Sequence, residues 1–246
     1  MQGCVTETTG GFNVEKSDAD ALQDYLQLAT GYLEQNDLTN SKRHLANAAA
    51  IDPDSSQMHA VWGLVYAREG ESRLADASFQ RALRQDPANS KARNNYAAFL
   101  FSNSRFEDAY SELQRVVEDT GYDARPQAFE NLGLAALRLN RPQDAETAFL
   151  RALQLNPNQL RSSLELTALY LAKPDVVQAR NQYRNFLTLS QFYNIPQTPR
   201  SLWTGIQLEA ALGNRGNVEA YGQQLETNFA SAPEIQLYKK LLDTLK

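Results

Sequence analysis

The sequence predicts an all-α protein, built as a stack of helical hairpins, and three observations predict it. The chain repeats itself at an offset of 34 residues: YLQLATGYLEQNDLTNSKRHLANAAAIDP at 25–53 is echoed by HAVWGLVYAREGESRLADASFQRALRQDP at 59–87. Within each copy the apolar residues recur at helical spacing, as in Leu28 and Tyr32 or Ala75, Phe79 and Ala82. The copies close on Asp-Pro (52–53 and 86–87) or Asn-Pro (156–157), and a residue before proline is pushed out of the α region, which ends a helix there.

Taken in order, the first copy carries Leu28, Ala29, Tyr32, Ser41, Leu45, Ala48 and Pro53. The second has Trp62, Gly63, Tyr66, Ala75, Phe79, Ala82 and Pro87 at the same positions. Gly63 and Ala75 are small where two helices must cross closely, as are Gly133 and Ala145 later. The third copy carries Tyr96, Ala97, Leu100, Ala109, Leu113 and Val116; the fourth, shifted by two residues, carries Leu132, Gly133, Ala136, Ala145, Phe149, Ala152 and Pro157. The fifth keeps Leu166, Tyr170, Ala179 and Tyr183, and a worn sixth surrounds Leu208, Ala211 and Ala220. The final stretch, PEIQLYKKLLDTLK at 233–246, reads as a helix that covers the last repeat.

These positions resemble the tetratricopeptide repeat, a helix–turn–helix unit of this length. That resemblance implies a right-handed superhelical solenoid of about six repeats, over 22–55, 56–89, 90–125, 126–159, 160–200 and 201–233, with a cap at 234–246. Residues 19–246 would form one repeat domain behind a flexible segment at 1–18. One hairpin cannot bury its own apolar face, so stacking supplies the cover and leaves a groove lined by the first helix of each repeat.

Composition narrows the function. Hydrophobic residues make up 42% of 246, enough for a sizeable core, and the net charge of −5 comes without a basic stripe. A phosphate backbone needs such a stripe, so no nucleic-acid partner is expected. No stretch approaches the roughly eighteen apolar residues of a transmembrane helix. Cys4 is the single cysteine, which excludes an internal disulfide and cysteine-based zinc sites, and His44 and His59 leave little for another metal. There is no Gly-rich phosphate loop, HExxH or G-x-S-x-G motif. The expectation is a protein without catalytic residues, cofactor or small-molecule substrate. His44 and His59 read as packing or surface residues, and Trp62 as a packing residue with ligand contact as its other reading; the face taken by Trp203 is open.

A groove of this kind takes an extended peptide or an amphipathic helix. Helical register assigns to it Leu26, Thr30 and Leu33 in the first repeat and Ala60, Leu64 and Arg68 in the second. The third adds Asn94, Ala98 and Phe101, the fourth Glu130, Leu134, Leu137 and Arg138, and the fifth Arg161, Leu164 and Ala168. Leu26 and Leu33 have a second reading, as residues that pack on the entering N-terminal segment. The segment TLSQFYNIPQTPR at 188–200 breaks the period with two prolines and the aromatics Phe192 and Tyr193; it reads as a detour between repeats or as a binding loop.

The opening MQGCVTETTGG places Cys4 ahead of a polar stretch, residues 5–18, of about fourteen residues that would span roughly 20 Å as a flexible tether. A cysteine heading a tether, with a small residue such as Gly3 before it, resembles the start of a processed bacterial lipoprotein. Met1 stands where that pattern usually has leucine, and Val5, in place of an aspartate, favours the outer membrane. An incidental thiol is the other reading.

Beyond the generic repeat, YLQLATGYLEQND (25–37), ARNNYAAFLF (92–101), AFENLGLAALRLNRPQDAE (128–146) and RSLWTGIQLE (200–209) are similar to segments of the type IV pilus biogenesis and stability lipoproteins, the pilotins. Ala97 departs from the glycine frequent in that family. The resemblance implies a lipid on Cys4, a location on the periplasmic face of the outer membrane of a Gram-negative bacterium, and a role in twitching motility through the pilus secretin, whose subunit the solenoid would carry and help to multimerise. Two other readings stay open: another scaffold lipoprotein of envelope assembly, or a soluble co-chaperone binding a partner peptide.

Overall fold

A computed structural model describes residues 17–245, and every regular element among them is an α-helix. Cys4 and the expected tether up to residue 16 lie outside the described residues. The helices form six hairpins and a final helix. The hairpins are α1 (Asp18–Glu34) with α2 (Leu38–Ile51), α3 (Ser56–Arg68) with α4 (Ser72–Gln85), and α5 (Ser90–Ser102) with α6 (Phe106–Glu118). They continue as α7 (Arg125–Arg138) with α8 (Pro142–Leu155), α9 (Leu160–Ala172) with α10 (Val176–Phe192), and α11 (Pro199–Ala211) with α12 (Arg215–Asn228), followed by α13 (Glu234–Thr244).

Local chemistry sets these limits. Ser17, Asp37, Ser55 and Asp175 cap the N-termini of α1, α2, α3 and α10, each side chain accepting from a backbone N–H of the first turn. Thr198 and Ser201 make a reciprocal capping box at α11, and Pro199 occupies the first helical position, where its missing N–H costs nothing. Asp52, Asp86 and Asn156, each before a proline, are extended with ψ of 95°, 94° and 104°, and α2, α4 and α8 stop there. Inside five of the hairpins the turn passes through a left-handed residue: Asn36, Gly70, Ser104, Asn140 and Gly213. Asparagine and glycine tolerate that region, which explains why these residue types recur at the turns.

By compactness the chain divides into two units, Met1–Tyr96 and Ala97–Lys246, with the boundary inside α5. In the first unit Leu26, Ala29 and Leu33 of α1 pack with Leu45 and Ala48 of α2 and Met58, Val61 and Val65 of α3. Gly63 permits the closest crossing: a Cβ there would lie 2.9 Å from the ring of Phe79, a fully buried side chain that stacks on Tyr96 at 5.4 Å. Removing such a ring costs about 3–5 kcal/mol. The second unit repeats the device with Gly133 and Phe149. Its interior joins Phe149, Leu166, Tyr183 and Phe186 with Leu208, and a further cluster of Leu202, Ile206, Leu225 and Tyr238 forms under α13.

Trp62 stacks on Tyr66 at 5.2 Å and borders the first core; Trp203 borders the last. His44 stacks on Tyr32 at 5.4 Å. His59 is buried with Nε2 3.0 Å from the Pro53 carbonyl, and burial, helped by the positive field of Arg81, lowers its imidazole pKa. Within 188–200, Thr188–Phe192 simply prolong α10 to 17 residues, with Leu189 and Ser190 buried and Phe192 74% exposed. Arg200, at the far end, forms an ion pair with the buried Glu165 of α9. No described helix is long and apolar enough to cross a membrane.

Candidate functional site

Among the described residues, the clefts on the first helices of the hairpins include one in each unit that holds residues assigned to the groove. In the first unit a cleft of about 230 Å³ lies among α1, α3 and the start of α5. Thr30 and Leu64, both assigned to the groove by register, line it with Ala60, beside Glu34, Gln57, Lys91 and Asn95. The Thr30 hydroxyl donates to the Leu26 carbonyl at 2.8 Å, so its methyl group is fixed in orientation. The cleft is mixed in character, with an apolar floor of Ala60, Val61 and Leu64 and one lysine at its rim.

In the second unit a smaller cleft of about 120 Å³ is walled by Ala97, Ala98 and Phe101 of α5, Leu113 of α6 and Leu134 of α7. Two polar residues complete it, Asn131 and Arg161. Phe101 meets Phe106 edge-to-face at 5.2 Å, and the Arg138 guanidinium lies 5.8 Å and 5.5 Å from the two ring centres. This cation over two rings fixes the mouth of the cleft at about 0.5–1 kcal/mol per contact. Phe101, Leu134, Arg138 and Arg161, scattered over sixty residues of sequence, are thus gathered at one place.

Four residues assigned to the groove are not on its surface, among them Leu164, which is 7% exposed and packs in the core of the second unit. Leu26 and Leu33 are 2% and 5% exposed and belong to the core that α1 shares with α2 and α3. Glu130 is 5% exposed: its carboxylate accepts from the Ser162 N–H at 3.0 Å and the Ser162 hydroxyl at 2.8 Å, a strut between α7 and α9. A buried carboxylate needs such donors, and with them it serves packing rather than a partner. Arg68 is exposed and reaches Asn36 at 3.5 Å, and Asn94 is half-buried; neither lines the cleft described for the first unit.

Register alone overlooked other lining residues. Lys91 and Asn95 stand three residues before and one after Asn94, and Asn131 one after Glu130. The spacing Lys91–Asn95–Ala98 is one helical stripe, a signal that could have found them. Leu28, which the repeat places at the core-facing Trp62 position, is 46% exposed and lines an open depression with Asp24, Gln27, Gly31, Tyr32 and Gln35. No described helix precedes α1 to cover it.

Residues 60–129, 100–159 and 130–192 match the tetratricopeptide repeat. Over 242 residues the chain is 35% identical to the type IV pilus assembly protein PilF of Pseudomonas aeruginosa, covering 97% of this chain and 93% of that one. The solved structure of Pseudomonas aeruginosa PilF superposes with a TM-score of 0.85 over 92% of this chain and 99% of the other, again at 35% identity. The crystal structure of PilW, described as a widely conserved type IV pilus biogenesis factor, shares the fold with a TM-score of 0.74 at 22% identity, over 88% of this chain and 97% of that one. Helical hairpins at a 34-residue period and full-length likeness to PilF together assign the chain: it belongs to the tetratricopeptide-repeat family of type IV pilus assembly proteins that includes PilF.

Proposed function

We propose that this protein is a lipid-anchored pilotin. Its first-helix clefts hold a subunit of the pilus secretin, and acyl chains on Cys4 carry the pair to the periplasmic face of the outer membrane, where the secretin assembles into its ring. The work is binding and anchoring, with no covalent bond made or broken on the partner. The observation that carries this reading is likeness to PilF along 97% of the chain. The clefts support it: each offers an apolar floor with polar groups at the rim, the composition that suits an extended or helical protein segment. The opening sequence, with Gly3 before Cys4, supports anchoring, and acyl chains there would suffice for it, because each buried methylene adds about 0.8 kcal/mol.

The test is made in cells. Cys4→Ser in the full precursor is expected to leave the protein off the outer membrane and to lower heat-resistant secretin multimers on a denaturing gel. Affinity capture of the native protein from detergent-solubilised membranes is expected to bring down the secretin as main prey. Normal multimers in the serine variant at normal abundance, together with no secretin in the capture, would sink the reading.

A further inference from the structure

We infer that the cleft of the second unit accepts a bulky apolar side chain from an extended protein segment whose neighbouring residue is aspartate or glutamate, the carboxylate being met by Arg161. This deepens the partner-binding reading above and rests on it. The space exists because of one small residue. Thr30, Leu64, Ala98, Leu134 and Ala168 occupy the same register position in successive repeats, and where the second and fourth repeats have leucine the third has alanine, exposed at the cleft wall. The missing leucine leaves an apolar hole of about 120 Å³ bounded by Ala97, Ala98, Phe101, Leu113 and Leu134. An apolar recess of that size takes one side chain, not a fold.

The charge at the mouth specifies the rest of the occupant. Arg161 lines the hole and Arg138 lies over its Phe101 wall. Neither is in an ion pair among the described residues. Two buried acids of this unit are engaged elsewhere, Glu130 by Ser162 and Glu165 by Arg200. Arg161 acts on Glu165 only through the electrostatic field. A segment bringing its own carboxylate beside an apolar anchor satisfies the Arg161 fork, while a basic or neutral segment leaves it unmatched. A single arginine and one amide are too few donors to favour a chain-terminal carboxylate, so the acid is a side chain within the segment.

A phage library of random peptides, selected on the native protein and counter-selected on an Ala98→Leu variant, tests this. Leucine at that exposed helical position fills the hole and removes no contact, and the fold of each variant is checked by circular dichroism. The enriched peptides are expected to pair a large apolar residue with aspartate or glutamate. A synthetic representative with amidated C-terminus should lose about tenfold or more in affinity for Ala98→Leu and for Arg161→Glu, and remain within about threefold for Arg161→Lys. Replacing its acid by lysine should abolish binding to the native protein and restore it to Arg161→Glu. Three results overturn the inference: no peptide enriched over the Ala98→Leu bait, an enriched pattern without an acid, or binding that needs a free C-terminus. Peptides stand in for the secretin here, so this failure bears on the cleft alone, and failure of the secretin capture bears on the pilus reading alone.

Discussion

Ser162 gives both its backbone N–H and its hydroxyl to the Glu130 carboxylate, at 3.0 Å and 2.8 Å, and so ties the start of α9 to the middle of α7. Gln127 adds a third donor at 3.1 Å on the other oxygen. A buried acid with three donors is a structural joint. Glu130→Ala strips the partners of Ser162 and is expected to cost about 2–3 kcal/mol in urea unfolding. Glu130→Gln, which retains one acceptor oxygen, should lose about half of that. Equal stability of Glu130→Ala and the native protein would return Glu130 to the list of surface groups.

The contact between Gly133 and Phe149 sets the spacing of α7 and α8. A Cβ on Gly133 would lie 2.6 Å from the ring, which is itself fully buried and has no room to retreat. Alanine gains roughly 1 kcal/mol of helix propensity over glycine, yet overpacking a tight core costs about 1–3 kcal/mol. Gly133→Ala is therefore expected to lower stability, and Gly133→Ala with Phe149→Leu to lose less than the two single changes added together. Gly31 is the control: nothing lies within 4 Å of its added Cβ, so Gly31→Ala should raise stability by about 0.5–1 kcal/mol. Thermal unfolding of the four variants reads all of this.

Such joints mark the limit of what the sequence discloses. Period, proline punctuation and the small residues Gly63, Ala75, Gly133 and Ala145 are local signals, and they were enough to place the hairpins and their crossings. Helical register also named Thr30, Leu64, Phe101, Leu134 and Arg161, which line the two clefts. Register names a side of a helix, though, and not what covers that side. Leu33 faces inward because Met58 and Val61 of the next hairpin close over it, and Glu130 because Ser162, thirty-two residues on, turns its donors to it. Both facts depend on a neighbour whose distance in sequence carries no pattern. Lys91, Asn95 and Asn131 escaped for a simpler reason, since each repeat was read from apolar positions and the polar stripe beside them was not followed.

Glu165 links stability to pH. Burial raises its carboxyl pKa, while Arg200, the principal opposing influence, pulls it down. The net direction is upward, so the folded state holds this proton more tightly than the unfolded state, and the group's contribution to stability is present below the ordinary carboxylate value and is lost as pH rises through the higher folded value. Removing the guanidinium with Arg200→Met enlarges that penalty. The variant is expected to lose about 1–2 kcal/mol at neutral pH and much less at about pH 4, just below the ordinary glutamate value, where Glu165, its carboxyl pKa raised by burial, is already protonated in the folded state. Urea titrations at the two pH values decide it; a loss independent of pH would mean that Arg200 acts by packing alone.

Leu28 and Leu33 sit five residues apart on α1, the first 46% exposed and the second 5%. They separate a surface position from a core one. Leu33→Ala opens a cavity beneath Met58 and Val61 and should cost about 2–4 kcal/mol, while Leu28→Glu should leave stability within about 0.5 kcal/mol. Leu28 borders the open depression with Tyr32 and Gln27, outside the two clefts, so its substitution tests whether the partner reaches beyond them. A Leu33→Glu variant that failed to capture a partner would be uninformative, because it would no longer fold; the Leu28→Glu variant, folded and compared in the same membrane capture, isolates the surface. Stability lost at Leu28 or kept at Leu33 would show that the apolar face of α1 has been assigned the wrong way round.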